Sequence, residues 1–205
     1  MKTEIVPASE IQTALEILKS GGIVAFPTDT VYGLGALAFD NTAIENIYIA
    51  KNRAIEKAIP ILIADIDDLE MVAVDIPNMA RIFAARFWPG SLTCIVPNKQ
   101  TLPLAISATS TVAVRIPDHA DACALLSIAG PMAVTSANIS GQASPSTAQE
   151  VYSQLNGRIP LILDGGKTRG GVPSTLVDCT GEKPVVLRKG PISLDELLAA
   201  LKSDK

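Results

Sequence analysis

The chain has 205 residues, 48% of them apolar and 19% charged, with a formal net charge of −4. That length and apolar share suffice for a full core in one domain, and the scattered charges exclude a disordered tail or a basic arm. The negative balance argues against tight, non-specific phosphate-backbone binding, and four Phe, three Tyr and one Trp are too few for a stacking platform on single-stranded nucleic acid.

The start, Met1-Lys-Thr-Glu-Ile5, has no apolar signal core, and no apolar run reaches the roughly 18 residues of a membrane span, so a cytoplasmic protein without membrane contact is expected. Ser9 and Gln12 form a capping-box signature and predict a helix over 9–20. The apolar run 22–26 predicts a strand that stops at Pro27 and opens into Thr28-Asp-Thr-Val-Tyr-Gly-Leu-Gly35. Strand ends of this kind are where α/β proteins place ligands, and Gly33 and Gly35 allow positive φ and close approach of backbone amides to a bound group; an ordinary loop has the same composition.

Thr42 and Glu45 predict a second helix over 42–52, closing on Lys51-Asn-Arg53 with Lys57 four residues beyond. Such cations fit stabilisation by the helix macrodipole and equally fit one wall of a polyanion site. A strand over 59–64 follows, then a helix over 77–87 begun by Pro77 and ended by Trp88-Pro-Gly90, then strands over 91–96 and 111–116. Arg115 alternates with Val112 and Val114 and so points to a sheet face, where burial demands an anionic partner. That partner is either a structural carboxylate such as Asp118 or Asp121, or a carboxylate ligand bound bidentately.

A helix over 118–128 and a strand over 131–135 lead into Thr135-Ser-Ala-Asn-Ile-Ser-Gly141, a hydroxyl- and amide-rich loop suited to an oxyanion or nucleotide. Thr147 and Glu150 begin a helix over 147–155, and a strand over 159–163 precedes the glycine-rich loop 164–175, which fits a mobile lid or a solvated loop. Strands over 174–179 and 184–188, the latter ending on Arg188, and a helix over 193–202 begun by Ser193 and Glu196 complete the chain. The irregular alternation favours one domain over 1–205, with a mixed sheet flanked by helices.

Several chemistries are disfavoured. G-x-x-x-x-G-K-[ST] and G-x-G-x-x-G are absent, so neither a P-loop nor a Rossmann turn is present. His119, the single histidine, speaks against a Ser-His-Asp triad or a histidine metal site and fits a surface or capping role. Cys94, Cys123 and Cys179 form no C-x-x-C pair and are expected as buried thiols, and no paired carboxylates suggest a glycosidase. What remains is cations and hydroxyls at several strand ends, suited to phosphate and carboxylate ligands and to phosphoryl or nucleotidyl transfer.

Seven segments, Phe26-Pro-Thr-Asp-Thr-Val-Tyr-Gly-Leu-Gly35, Lys51-Asn-Arg53, Trp88-Pro-Gly-Ser-Leu-Thr93, Val112-Ala-Val-Arg-Ile-Pro117, Thr135-Ser-Ala-Asn-Ile-Ser-Gly141, Val172-Pro-Ser-Thr175 and Leu187-Arg-Lys-Gly-Pro191, together resemble the YrdC-like family of threonylcarbamoyl-AMP synthases. The resemblance runs in order over residues 5–201. It implies a YrdC-like twisted mixed β-sheet flanked by helices, with a concave positively charged cavity. It also implies a reaction in which L-threonine, bicarbonate and ATP give threonylcarbamoyl-AMP and pyrophosphate for tRNA modification. By the same resemblance Thr28, Thr30, Arg115 and Ser174 hold threonine. Lys51 and Arg53 are catalytic and, with Lys57, meet the phosphates, while Thr111, Ser136, Asn138, Ser144 and Arg188 complete the ATP site. Mg²⁺ is expected to arrive with ATP, and downstream tRNA threonylcarbamoyl-transferase proteins are the expected partners.

Ala54 stands where many relatives have proline, and the chain ends soon after the helix over 193–202, so a second C-terminal domain is not expected. Two other functions fit the resemblance: a module binding tRNA, double-stranded RNA or rRNA, and an enzyme that activates carbamoyl phosphate with ATP for another acceptor.

Overall fold

The computed structural model describes residues 2–106 and 109–203, so Met1, residues 107–108 and residues 204–205 of the expected single domain lie outside it. In chain order the strands are β1 (Glu4–Pro7), β2 (Val24–Phe26), β3 (Gly33–Leu37), β4 (Ile61–Leu62), β5 (Leu92–Pro97), β6 (Thr111–Arg115), β7 (Met132–Ser136), β8 (Leu161–Asp164), β9 (Thr175–Asp178) and β10 (Val185–Arg188). The helices are α1 (Ile11–Lys19), α2 (Asn41–Lys51), α3 (Leu69–Val72), α4 (Asn78–Phe87), α5 (Ala120–Ala129), α6 (Ala148–Leu155) and α7 (Leu194–Ser203), with a 3-10 turn at Ile66–Asp68. Among the described residues the strands form one sheet in the order β1-β8-β2-β3-β7-β4-β6-β5-β9-β10. Parallel pairs (β1·β8, β2·β8, β4·β6, β5·β9) mix with antiparallel ones, as expected from the sequence.

Alternation along the strands sorts the core into two layers. Ile23, Ala25, Ile61, Ala133 and Ile162 face one side and pack with Ile44 and Ile47 of α2, Phe83 of α4, Val151 of α6 and Leu197 of α7. Val24, Phe26, Leu62, Met132, Val134, Leu161 and Leu163 face the other and pack with Ala14 and Leu18 of α1 and Leu125 and Leu126 of α5. Among the described residues no helix is long and apolar enough to cross a membrane.

Two strands go beyond the sequence-based expectation. β1 is a four-residue, largely exposed strand at the sheet edge, too short to register as an apolar run. β3 was expected as a turn, yet Gly33 and Gly35 lie in a strand paired to β2 and β7, and neither has positive φ. Their glycine character answers to packing instead. A Cβ on Gly33 would lie 2.7 Å from Val134 Cγ1, and one on Gly35 2.9 Å from Met132 Cε.

Two of the four expected caps are also corrected. α2 is capped by Asp40, whose Oδ1 accepts from Ala43 N at 2.9 Å, because a carboxylate two residues before Thr42 is the stronger acceptor. α1 starts after Glu10 with no side-chain cap, since Glu10 N turns back onto Pro7 O at 2.9 Å and leaves Ser9 outside the helix. Thr147 and Ser193 do cap α6 and α7, accepting from Glu150 N at 3.2 Å and Glu196 N at 3.3 Å.

Candidate active site

α1 and α5 cover their face of the sheet over β8, β2 and β7, and the same face beyond β7 forms the floor of a cavity of about 460 Å³. Its described lining comes from strands and loops, with no helix residue among them. The period of two explains the floor: Val112 and Val114 turn into the helix-covered core, so Thr111, Ala113 and Arg115 turn into the cavity. Nine of the twelve residues expected at the site line this one cavity: Thr28, Thr30, Arg53, Lys57, Thr111, Arg115, Ser136, Ser174 and Arg188. Its described lining includes four cations and no carboxylate.

One corner is built around Arg115, which is only 4% exposed. Its Nε donates to Gly90 O at 2.7 Å, one terminal nitrogen donates to Thr30 Oγ1 at 3.0 Å, and the other pairs with the carboxylate of Asp29. The expected structural partner is thus corrected from Asp118 or Asp121 to Asp29. Asp118 contributes its backbone N–H, which donates to the same Asp29 oxygen at 3.1 Å. Thr28 and Thr30 hydroxyls lie 3.1 Å apart, and Thr28 Oγ1 donates to Val31 O at 2.7 Å.

Across the floor Ser174 is buried with its hydroxyl 2.7 Å from that of Thr93, and it accepts from Arg188 at 3.1 Å. Arg188 also donates to Ser174 O at 3.0 Å. Arg53 is pinned over the opposite wall by Lys57 O and Ala58 O, at 3.1 and 2.9 Å. Burial is the first cause that lowers the pKa of Arg53, Arg115 and Arg188. Repulsion adds to it, from Arg53 on Arg188 and from Arg188 on Arg115, where Asp29 offsets it. Arg188 is thus the guanidinium coupled to both of the others.

Lys51, Asn138 and Ser144 do not line the cavity. Lys51, at the last position of α2, is 1% exposed, and its ammonium donates to the carbonyls of Ser136 and Asn138 from beneath the loop that follows β7. Burial, with the charge of Arg53 second, brings its pKa down from 10.5 to about 7. Asn138 is buried and its side-chain amide donates to Ile139 O and Gln142 O at 2.8 and 2.9 Å, so it shapes the same loop from within. Ser144 sits half-buried ahead of α6.

The structure adds two residues to the expected site. Thr93 lines the cavity as partner of Ser174, and its place between core residues Leu92 and Cys94 is the signal that could have found it. Asp29 reaches the site only through Arg115. The loop between β8 and β9 is tied down: Thr168 N donates to Ser146 O at 2.9 Å, Gly170 N to Asp29 O at 3.0 Å and Gly171 N to Thr30 O at 2.8 Å. His119 stands at the N-cap of α5, half-exposed and outside the cavity.

Fold and site together define an α/β protein whose open sheet face gathers arginines, a lysine and hydroxyls around a space suited to an anionic ligand. The Sua5_yciO_yrdC family, described as Telomere recombination, matches residues 16–190, and the chain belongs to that family. It is similar to a threonylcarbamoyl-AMP synthase of Pyrococcus abyssi, 44% identical over 92% of this chain and 56% of that one. A putative threonylcarbamoyl-AMP synthase of Mycobacterium tuberculosis is 39% identical over 95% of this chain and 90% of its own length. The fold superposes on the crystal structure of P. abyssi Sua5 complexed with L-threonine with a TM-score of 0.92, at 42% identity over 98% of this chain and 59% of the other. The chain thus spans a little over half the length of the P. abyssi protein.

Proposed function

We propose that the chain is a threonylcarbamoyl-AMP synthase, joining L-threonine, bicarbonate and ATP into threonylcarbamoyl-AMP and pyrophosphate. The observation that carries this reading is the convergence of nine expected residues, from segments as distant as Thr28 and Arg188, on one cavity whose described lining has no carboxylate. The L-threonine complex of the P. abyssi relative supports the choice of amino acid.

In this reading Arg115 receives the carboxylate of threonine, and Thr28, Thr30 and Ser174 enclose its amine and hydroxyl. The amine condenses with bicarbonate, releasing water, and a carbamate oxygen attacks the α-phosphorus of ATP in line while pyrophosphate leaves. Arg53, Lys57 and Arg188 neutralise the charge that gathers on the phosphates, and Thr111 and Ser136 contact the nucleotide. Lys51, Asn138 and Ser144 act on the nucleotide through the loop they shape. Mg²⁺ enters as part of the ATP substrate. The cavity lining offers hydroxyls and cations, and in this reading the triphosphate brings the ion with it. The product then serves a tRNA-modifying transferase.

The test is pyrophosphate release from ATP with and without L-threonine and bicarbonate, with mass spectrometry of the nucleotide product. Release that needs both, with a threonylcarbamoyl adenylate detected, is the expected result. Release indifferent to threonine refutes the assignment.

A further inference from the structure

We propose that Asp29, a residue outside the cavity lining, is a positioning residue for the amino-acid carboxylate subsite: it fixes the direction of Arg115 and ties to it the loop that carries Ser174. The inference rests on the threonine role proposed for Arg115 and Ser174 and goes beyond it.

A guanidinium has five N–H groups. In Arg115 three are committed, to Gly90 O, Thr30 Oγ1 and Asp29 Oδ1, which leaves one hydrogen on each terminal nitrogen for a ligand. A ligand carboxylate read by two hydrogens needs the plane of the guanidinium held still. The Gly90 contact fixes only the Nε end. Rotation about that end is stopped by Asp29 and Thr30, neighbours on the segment between β2 and β3.

Asp29 is itself held. Its Oδ1 accepts from Asp118 N at 3.1 Å as well as from Arg115, so the carboxylate is clamped between two segments and is not a loose ion pair. Side-chain exposure of 5% for Arg115 and 13% for Asp29 keeps solvent from screening the pair.

The backbone of the same two residues grips the loop between β8 and β9. Gly170 N donates to Asp29 O at 3.0 Å and Gly171 N to Thr30 O at 2.8 Å, three residues before Ser174. A Cβ on Gly170 would lie 2.9 Å from Asp29 O and 3.0 Å from Thr30 Cα, so this approach requires glycine. The two ends of the threonine subsite, Arg115 and Ser174, thus share residues 29–30 as their common anchor.

A tie that merely held loops together would affect every substrate alike, whereas a device aimed at Arg115 affects substrates that present a carboxylate. The experiment measures pyrophosphate release with L-threonine and with L-threoninamide, whose carboxyl group is neutral, in wild type, Asp29→Ala, Asp29→Asn and Gly170→Ala. In Asp29→Ala the KM for L-threonine rises tenfold or more, while the KM for ATP and the efficiency with L-threoninamide change less than threefold. Asp29→Asn, which keeps an acceptor oxygen for Arg115 and Asp118 N, recovers most of the loss. Circular dichroism checks the fold. If Asp29→Ala does not fold, Asp29→Ser carries the test with the same selective rise expected, and Gly170→Ala, which disturbs the loop tie without touching the Arg115–Asp29 pair, is the control in which both substrates lose alike. In the Asp29 variants, equal losses with both substrates, an Asn variant as poor as the Ala variant, or unchanged KM overturn the role of Asp29. A wild type without threonine-dependent release overturns the function itself, and the two failures are told apart before any variant is compared.

Discussion

Lys51 offers a sharp test of how burial and charge balance in this fold. Its side chain is 1% exposed and held by two backbone carbonyls, with no ion pair among the described residues. Burial and then Arg53 bring its pKa from 10.5 to about 7 in the folded state. The unfolded chain keeps an ordinary lysine, so between those values it binds more protons than the folded chain, and stability rises with pH across that window. Below the folded pKa both states are protonated and the cost of burying the charge is expressed in full. Going from about pH 6 to about pH 9, this one group adds about 2.7 kcal/mol to the free energy of unfolding. The two carbonyls favour the charged form, so that figure is a ceiling. The perturbation is Lys51→Met, which keeps much of the length and removes the charge. Urea unfolding of both proteins at the two pH values gives a double difference in which the other titrating groups cancel. Wild type should gain about 1 to 2.7 kcal/mol over the variant on going to the higher pH. A flat double difference refutes the argument and means that the carbonyls keep the ammonium charged throughout.

Arg115→Ala should cut threonine-dependent pyrophosphate release by roughly 100-fold or more with the fold retained by circular dichroism, and Arg115→Lys should not restore it, since one ammonium cannot meet three fixed acceptors and a ligand; near-normal release removes Arg115 from the site. Asp40→Ala leaves Ala43 N without its 2.9 Å acceptor and should cost about 1 kcal/mol in denaturant unfolding, with turnover unchanged. A Cβ on Gly190 would lie 2.3 Å from Thr175 N and 2.6 Å from Ser174 C, so Gly190→Ala must displace the segments bearing Ser174 and Arg188; the expected result is a stability loss of about 2 kcal/mol or more together with raised KM for both L-threonine and ATP.

Local periodicity carried the sequence-based expectation a long way. Thr111-Val-Ala-Val-Arg115 announces its two faces whatever the rest of the chain does, and the structure puts Arg115 on the cavity side. What the pattern could not name was the partner. The Arg115–Asp29 pair spans 86 residues, and nearer carboxylates at 118 and 121 were the natural candidates. Lys51 was misleading for a similar reason: a cation ending a helix normally faces water, and nothing near it in sequence reveals the carbonyls of Ser136 and Asn138, 85 and 87 residues away. β3 was hidden because its glycines answer to Val134 and Met132 across the sheet, not to a turn.

One rule runs through Lys51 and the three arginines of the site. Lys51 rests on Ser136 O and Asn138 O, Arg53 on Lys57 O and Ala58 O, Arg115 on Gly90 O, and Arg188 on Ser174 O. A carbonyl orients a cation through its dipole without cancelling its charge, whereas a carboxylate does both. Among the described residues only Arg115 pairs with a carboxylate, and it is also the cation whose ligand is proposed to be a single carboxylate. Arg53 and Arg188, assigned to phosphates that bring several charges, are left unneutralised and repelling each other. An anion placed between them would offset that repulsion, so the arrangement suits a ligand that carries several negative charges.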